Sequence, residues 1–118
     1  MAIRNDTIEG TISAMLMQLE QEELCYVIKE HPHYIKYLKK QSENVCLIAV
    51  HENPKVLCLV RNQTKSICLE AVSIEYWTIS MVRELTDDIV IQALTQSLDA
   101  INYLPQEWYD KYYNKVYQ

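Results

Sequence analysis

The sequence predicts an all-α fold: an α-solenoid of about four 22-residue helix-turn-helix repeats with capping helices at both ends. Three observations carry this. Residues 42–63 (SENVCLIAVHENPKVLCLVRNQ) and 64–85 (TKSICLEAVSIEYWTISMVREL) share a hydroxyl residue at the first position, a β-branched residue and Cys at the fourth and fifth, Leu at the sixth, and Ala-Val at the eighth and ninth. Their period of 22 lies in the range of stacked repeat architectures. One Gly and three Pro in 118 residues are too few for a turn-rich β fold or a flexible linker. The apolar positions recur at helical spacing.

Taken in order, residues 1–20 read as a capping helix, with Asp6 or Thr7 as N-cap and Ile8, Ile12, Met15, Leu16 and Leu19 on one face. Repeats occupy residues 21–104. The first repeat aligns Leu24-Cys25-Tyr26 with Val45-Cys46-Leu47 and His31-Pro32 with Asn53-Pro54, which makes it one residue short. Each unit divides into two helices. The first starts at an N-cap, Ser42, Thr64 or Thr86, whose oxygen can accept an otherwise orphaned N–H. Val45, Ala49 and Val50 mark its buried stripe, matched by Ile67, Ala71 and Val72 and by Ile89, Ala93 and Leu94. The second begins at Pro32 or Pro54, a good first helical residue, and carries apolar pairs such as Ile35/Leu38 and Leu57/Val60 at i, i+3. Read as α-helices, the two are roughly 15 and 10 Å long. Residues 105–118 read as a C-terminal capping helix with Asp110 as N-cap. Trp108, Tyr112 and Val116 close the stack, and Tyr109, Tyr113 and Tyr117 lie on a neighbouring face. The whole is one domain, 1–118.

The composition narrows the class. No apolar run is long enough for a membrane span, and MAIRNDTIEG has no apolar segment behind a basic stretch, so no signal peptide is expected. A cytoplasmic setting follows, in a host cell if the source is viral. A net charge of −5 disfavours general nucleic-acid binding. The four cysteines form no CxxC pair, so zinc and thioredoxin signatures are absent. Cys25, Cys46 and Cys68 share one repeat position and are expected to be buried. Cys58 aligns with Lys36, Ser80 and Asn102 and is expected to face solvent. Val90 in place of the fourth repeat Cys marks that position as packing.

The strings VCLIAVHENPKVLCLVRNQTKSICLEAV (45–72) and NYLPQEW (102–108) resemble a domain-of-unknown-function family of tandem short helical repeats. Its units read roughly E-[IL]-C-L-x-A-V-x-x-N-[GP]-x-A-L-x-Y-V. The family occurs in large DNA viruses, phages, bacteria and protists. The resemblance covers about residues 21–110 and departs at Glu75-Tyr76, where Asn-Pro or Asn-Gly is expected. It implies a helical repeat array and supplies no activity.

Three features are candidates for function. His31 and His51, with Glu30 or Glu52, sit near corners where a metal site is conceivable, but solvated corner residues explain them better, and neither a metal nor a cofactor is expected. Lys39, Arg61 and Arg83 occupy one repeat position and form a ladder that can track phosphates, or that simply favours helix C-termini. At the corner of the third repeat, Ile74, Tyr76 and Trp77 replace Glu52, Pro54 and Lys55, an aromatic cluster of the kind that anchors interfaces. Asp87-Asp88 reads as a first-turn dipole feature. No phosphate loop, HExxH or nucleophile elbow is present, so an enzyme is not expected. The expectation is a non-catalytic protein-interaction module, a viral or phage accessory protein that inhibits a host defence or nucleic-acid-processing protein. Its contact residues are Ile74, Tyr76, Trp77, Tyr109, Tyr113 and Tyr117. The alternatives are a self-assembling structural or virion component and a nucleic-acid binder using the ladder.

Overall fold

The computed structural model describes residues 5–117, with side chains from residue 8 onward. Every regular element among them is helical. Six are α-helices: α1 (Asn5–Met17), α2 (Gln21–Glu30), α3 (Glu43–Glu52), α4 (Lys65–Ile74), α5 (Asp87–Gln96) and α6 (Gln106–Tyr117). Four are 3-10 helices: η1 (Pro32–Tyr37), η2 (Pro54–Leu59), η3 (Tyr76–Met81) and η4 (Leu98–Tyr103). Helices α2 to α5 start at residues 21, 43, 65 and 87, and η1 to η4 at 32, 54, 76 and 98. The spacing is therefore 22 throughout, and the first unit is not a residue short.

Local chemistry explains the α-helix starts. Ser42, Thr64 and Thr86 accept the backbone N–H of Val45, Ile67 and Ile89. Ahead of α2 the roles reverse, and the Glu23 carboxylate accepts the Glu20 N–H at 3.0 Å. The expected N-caps of α1 are different. The helix already includes Asp6 and Thr7, whose side chains lie outside the described residues.

The second element of each unit is a 3-10 helix rather than a short α-helix. The N–H groups of Leu38, Val60, Val82 and Leu104 bond carbonyls three residues back, at 3.1–3.3 Å. In a 3-10 helix side chains at i and i+3 eclipse. The pairs Ile35/Leu38 and Leu57/Val60 therefore stand in one inward row, and all four are buried. At a 2.0 Å rise, six residues span about 12 Å.

Consecutive α-helices from α2 to α5 pack on one another, as do consecutive 3-10 helices, and α3 to α5 also contact the 3-10 helices before and after them in sequence. The result is an elongated body of 60 × 33 × 19 Å. One core runs through it. Ala49, Ala71 and Ala93 are fully buried where α-helices meet, and Val50, Leu57, Val60, Val72 and Val90 fill the space to the 3-10 layer. Such short helices are marginal alone, so packing between units must stabilise them.

The caps lie over the 3-10 layer. Helix α1 packs mainly on η1 and α6 mainly on η4. Trp108, Tyr112 and Val116 do pack on the core, with Tyr112 buried. Asp110 is not an N-cap. The helix starts earlier, at Gln106, because Pro105 supplies the first accepting carbonyl, to Trp108 and Tyr109, and Asp110 accepts from the Gln106 side chain at 2.8 Å.

The uniform register corrects the cysteines. Cys46 and Cys68 are buried and Cys58 is exposed, but Cys25 is only half-buried. Its true counterparts are Leu47 and Leu69, also half-buried; the counterpart of Cys46 is Leu24.

Candidate functional site

The basic column had two readings, a phosphate-tracking ladder and cations placed at helix C-termini. Lys39, Arg61 and Arg83 are exposed, yet the two guanidinium groups reach back into the preceding unit. Arg61 donates to the carbonyls of Leu38 and Lys39, the latter at 3.0 Å. Arg83 repeats this one unit on, donating to Val60 at 2.7 Å, Arg61 at 3.3 Å and Cys58 at 3.4 Å. These carbonyls lie in the last turn of a 3-10 helix or in the two residues that follow it, where the helix itself supplies no donor.

Gln41 and Gln63 complete the same junctions, and sequence reasoning missed them. The Gln41 side-chain amide donates to Ile35 and Leu59 carbonyls at 2.8 and 3.0 Å and accepts the Arg61 N–H at 2.9 Å. Gln63 does the same with Leu57 and Met81, both at 3.1 Å, and the Arg83 N–H at 3.0 Å. A signal was present: Gln stands directly before the N-cap hydroxyl in both cases.

The third corner differs from its neighbours. Asn53 and Ser97 cap η2 and η4 by accepting the N–H of Lys55 and Asp99, each at 3.2 Å. Glu75 holds that position in the third unit and makes no such cap; its Oε2 is buried without a hydrogen-bond partner. Tyr76 fills the place of the buried Pro54, packing on the core with its ring 6.0 Å from that of Tyr103, edge to face. Trp77 is half-buried, with the Lys55 ammonium 5.9 Å from its ring. Ile74 is exposed. Of the three corner residues, Ile74 and Trp77 offer surface, while Tyr76 is a packing residue.

On α6, Tyr109, Tyr113 and Tyr117 form a stack with ring centroids 5.4 and 5.0 Å apart. Tyr109 rests on the core and the other two are exposed. On the other side of this helix Asp87 receives Lys111 at 2.7 Å and the Tyr112 hydroxyl. These two bonds hold the Asp87 carboxyl below its ordinary range. Burial, then the bond to Asp87, pushes Tyr112 up to about 12.

One concavity was not expected. It is an open groove of about 550 Å³ on the α layer, lined by the apolar Cys25, Tyr26, Leu47 and Ile48 and the polar Lys29, His51, Glu52 and Glu70. Aligning Cys25 with Cys46 concealed it. In the uniform register Cys25, Leu47, Leu69 and Ile91 form an apolar column outside the buried stripe.

The histidines do not converge. His31 stacks on Tyr34 at 4.8 Å, and His33 meets the same ring edge to face at 4.8 Å. His51 corresponds to Lys29 rather than to His31, and pairs with Glu70 at 2.8 Å. That hydrogen bond raises the His51 pKa. Among the described residues, no three His, Cys, Asp or Glu side chains gather as a metal-ligand set, and no helix is long and apolar enough to cross a membrane. Comparison with protein-family models, curated proteins and solved structures finds no match to this chain.

Proposed function

We propose that the chain is a short α-solenoid that works as a non-catalytic protein-binding module, with the face that runs from Tyr26 of α2 to Trp77 at the start of η3 as its contact face. The groove carries the reading. It is open and lined by Cys25, Tyr26, Leu47 and Ile48 together with the ionisable Lys29, His51, Glu52 and Glu70, a mixture expected of a protein-docking surface. Ile74 continues it, standing one unit beyond Glu52 in the same column, and Trp77 follows at the corner. A half-buried Trp beside an exposed Ile is the kind of anchor that dominates interface energetics.

The resemblance to repeats of large DNA viruses and phages supports a viral or phage accessory protein, acting in the host cytoplasm as an inhibitor of a defence or nucleic-acid-processing protein. The nucleic-acid alternative draws less support, since Arg61 and Arg83 already donate to backbone carbonyls. The test is affinity capture from a candidate host with wild type and with Ile74→Glu, Trp77→Ala and a Tyr113→Ala/Tyr117→Ala variant. Trp77→Ala should weaken partner binding about thirtyfold, equivalent to about 2 kcal/mol. Its melting temperature should stay nearly unchanged. Capture that survives both corner substitutions but is lost with the tyrosines moves the contact to α6. Lost stability with intact capture makes Trp77 a packing residue.

A further inference from the structure

Arg61 and Arg83 keep donors that the junctions do not use. Arg61 meets the Leu38 and Lys39 carbonyls through Nη2 alone, and Arg83 meets Val60, Arg61 and Cys58 through Nη1 and Nη2. A guanidinium carries further N–H groups, and among the described residues the Nε–H of both finds no acceptor. Among the same residues neither arginine pairs with a carboxylate. Each guanidinium is thus oriented by carbonyls, uncompensated in charge and only partly bonded. Held in this way, it loses little freedom on taking one more acceptor.

Both residues line a polar concavity of about 190 Å³ in the turns that follow η2 and η3, together with Asn62, Gln63 and Glu84. Arg83 donates to the Arg61 carbonyl, so the two residues adjoin across the junction. Gln63 is committed to its bridge. The exposed Asn62 side chain is bonded to nothing else among the described residues and can donate. The site occurs at one junction of the row. One unit earlier Lys39 holds the arginine position, and one unit later Pro105 does. A run of phosphates would need an equivalent rung at each unit, and the net charge of −5 opposes a polyanion. A small anion feels mainly the nearby cations, since exposed charges beyond about 8–10 Å are screened.

We infer that this concavity binds a single compact phosphate group between Arg61 and Arg83, with Asn62 as an added donor. Two arginines without carboxylate partners match the roughly two negative charges that a phosphate monoester carries at neutral pH. Their planar N–H edges match its oxygens. Glu84 opposes the anion and holds the affinity down. The site shares no residue with the groove on the α layer, so it stands or falls separately from the proposed protein contact.

NMR titration that follows the arginine Nε–H signals tests this with O-phosphoserine, inorganic phosphate and acetate. Both phosphate probes should move the Arg61 and Arg83 signals to saturation, and acetate should bind at least about tenfold more weakly. Tighter binding of O-phosphoserine than of phosphate assigns an ester as the source, and equal binding assigns the free ion. Asn62→Asp should weaken both probes about tenfold, and Glu84→Gln should tighten both about threefold. Both positions are exposed and neither side chain bonds within the described residues, so circular dichroism should show both variants folded. Arginine signals that both phosphate probes leave still overturn the proposal, as does acetate that binds equally well. Phosphate binding unchanged in Asn62→Asp places the anion outside the concavity and overturns it too. If only duplex DNA moves the signals, and Lys39→Ala weakens that binding, the ladder replaces the single site.

Discussion

The junction between η2 and η3 and the junction between η3 and η4 join the same elements at the same spacing, yet they are held differently. At the first, Gln63 links both 3-10 helices and the Arg83 backbone, while the Arg83 guanidinium covers carbonyls of the preceding unit. At the second, Leu85 stands where Gln63 stands and Pro105 where Arg83 stands. Neither bridge can form there. Apolar contact takes over, with Tyr76 against Tyr103 and buried Ile79 and Ile101 behind them. The difference shows what a 3-10 helix requires. Its last carbonyls lack an intrahelical partner, and inside the row the next unit must supply one. Near the end, where α6 turns across η4, the side chains that would do so are absent.

The largest effect should come from removing one inner bridge. Gln63→Leu makes the inner junction like the outer one and leaves the Leu57 and Met81 carbonyls and the Arg83 N–H without their partner. At about 1 kcal/mol for each of the part-buried Leu57 and Met81 carbonyls, with the exposed Arg83 N–H able to meet water, urea unfolding should report a loss of about 2 kcal/mol. Leu85→Ala, which only trims a half-buried apolar side chain, should cost about 1 kcal/mol. Equal costs would show that the two junctions are held alike.

Thiol labelling sharpens the contrast between the first unit and the inner ones. Cys58 should react first, Cys25 second, and Cys46 and Cys68 at least about tenfold more slowly, because only thiolates react. Burial pushes the Cys46 and Cys68 thiols up, and the nearby Arg61 and Arg83 offset this only in part. Labelling of Cys25 as slow as that of Cys46 would restore the shorter first unit.

The smallest effects are pH-dependent and opposite in sign in the two regions. The His51–Glu70 pair joins α3 to α4, and its hydrogen bond raises the folded-state pKa of His51 above the ordinary 6.5. Its stabilisation is fully present below 6.5 and fades as pH rises through the folded value. Asp87, which holds α6, is depressed below 3.8, so its contribution is present above 3.8 and fades as pH falls through the folded value. Both groups are exposed, so the changes are best followed by NMR titration. Glu70→Gln should lower the His51 pKa, and Lys111→Ala should raise that of Asp87. A His51 titration unmoved by Glu70→Gln would remove the pair from the inner junction.

Much of the candidate surface was legible in part. The column of Lys39, Arg61 and Arg83 follows from the period, but the carbonyls that its guanidinium groups meet do not. The break at Trp77 was visible, whereas the Lys55 ammonium lying near its ring was not. The groove was hidden by one misplaced residue. A Cys was matched to a Cys, and the side of α2 that faces α3 was thereby read as core.

The sequence by itself determined the all-helical class, the 22-residue spacing, the hydroxyl caps at Ser42, Thr64 and Thr86, and the buried alanines. These depend on contacts within one or two turns, so the local pattern contains them. Only the tertiary structure decided that the second elements are 3-10 helices, that Gln41 and Gln63 bridge units, and that both caps lie over the 3-10 layer. A six-residue segment can close its bonds three or four residues back at similar cost. The choice falls to partners 18 to 23 residues away, which supply the donors for carbonyls left open. No local pattern fixes where those partners arrive.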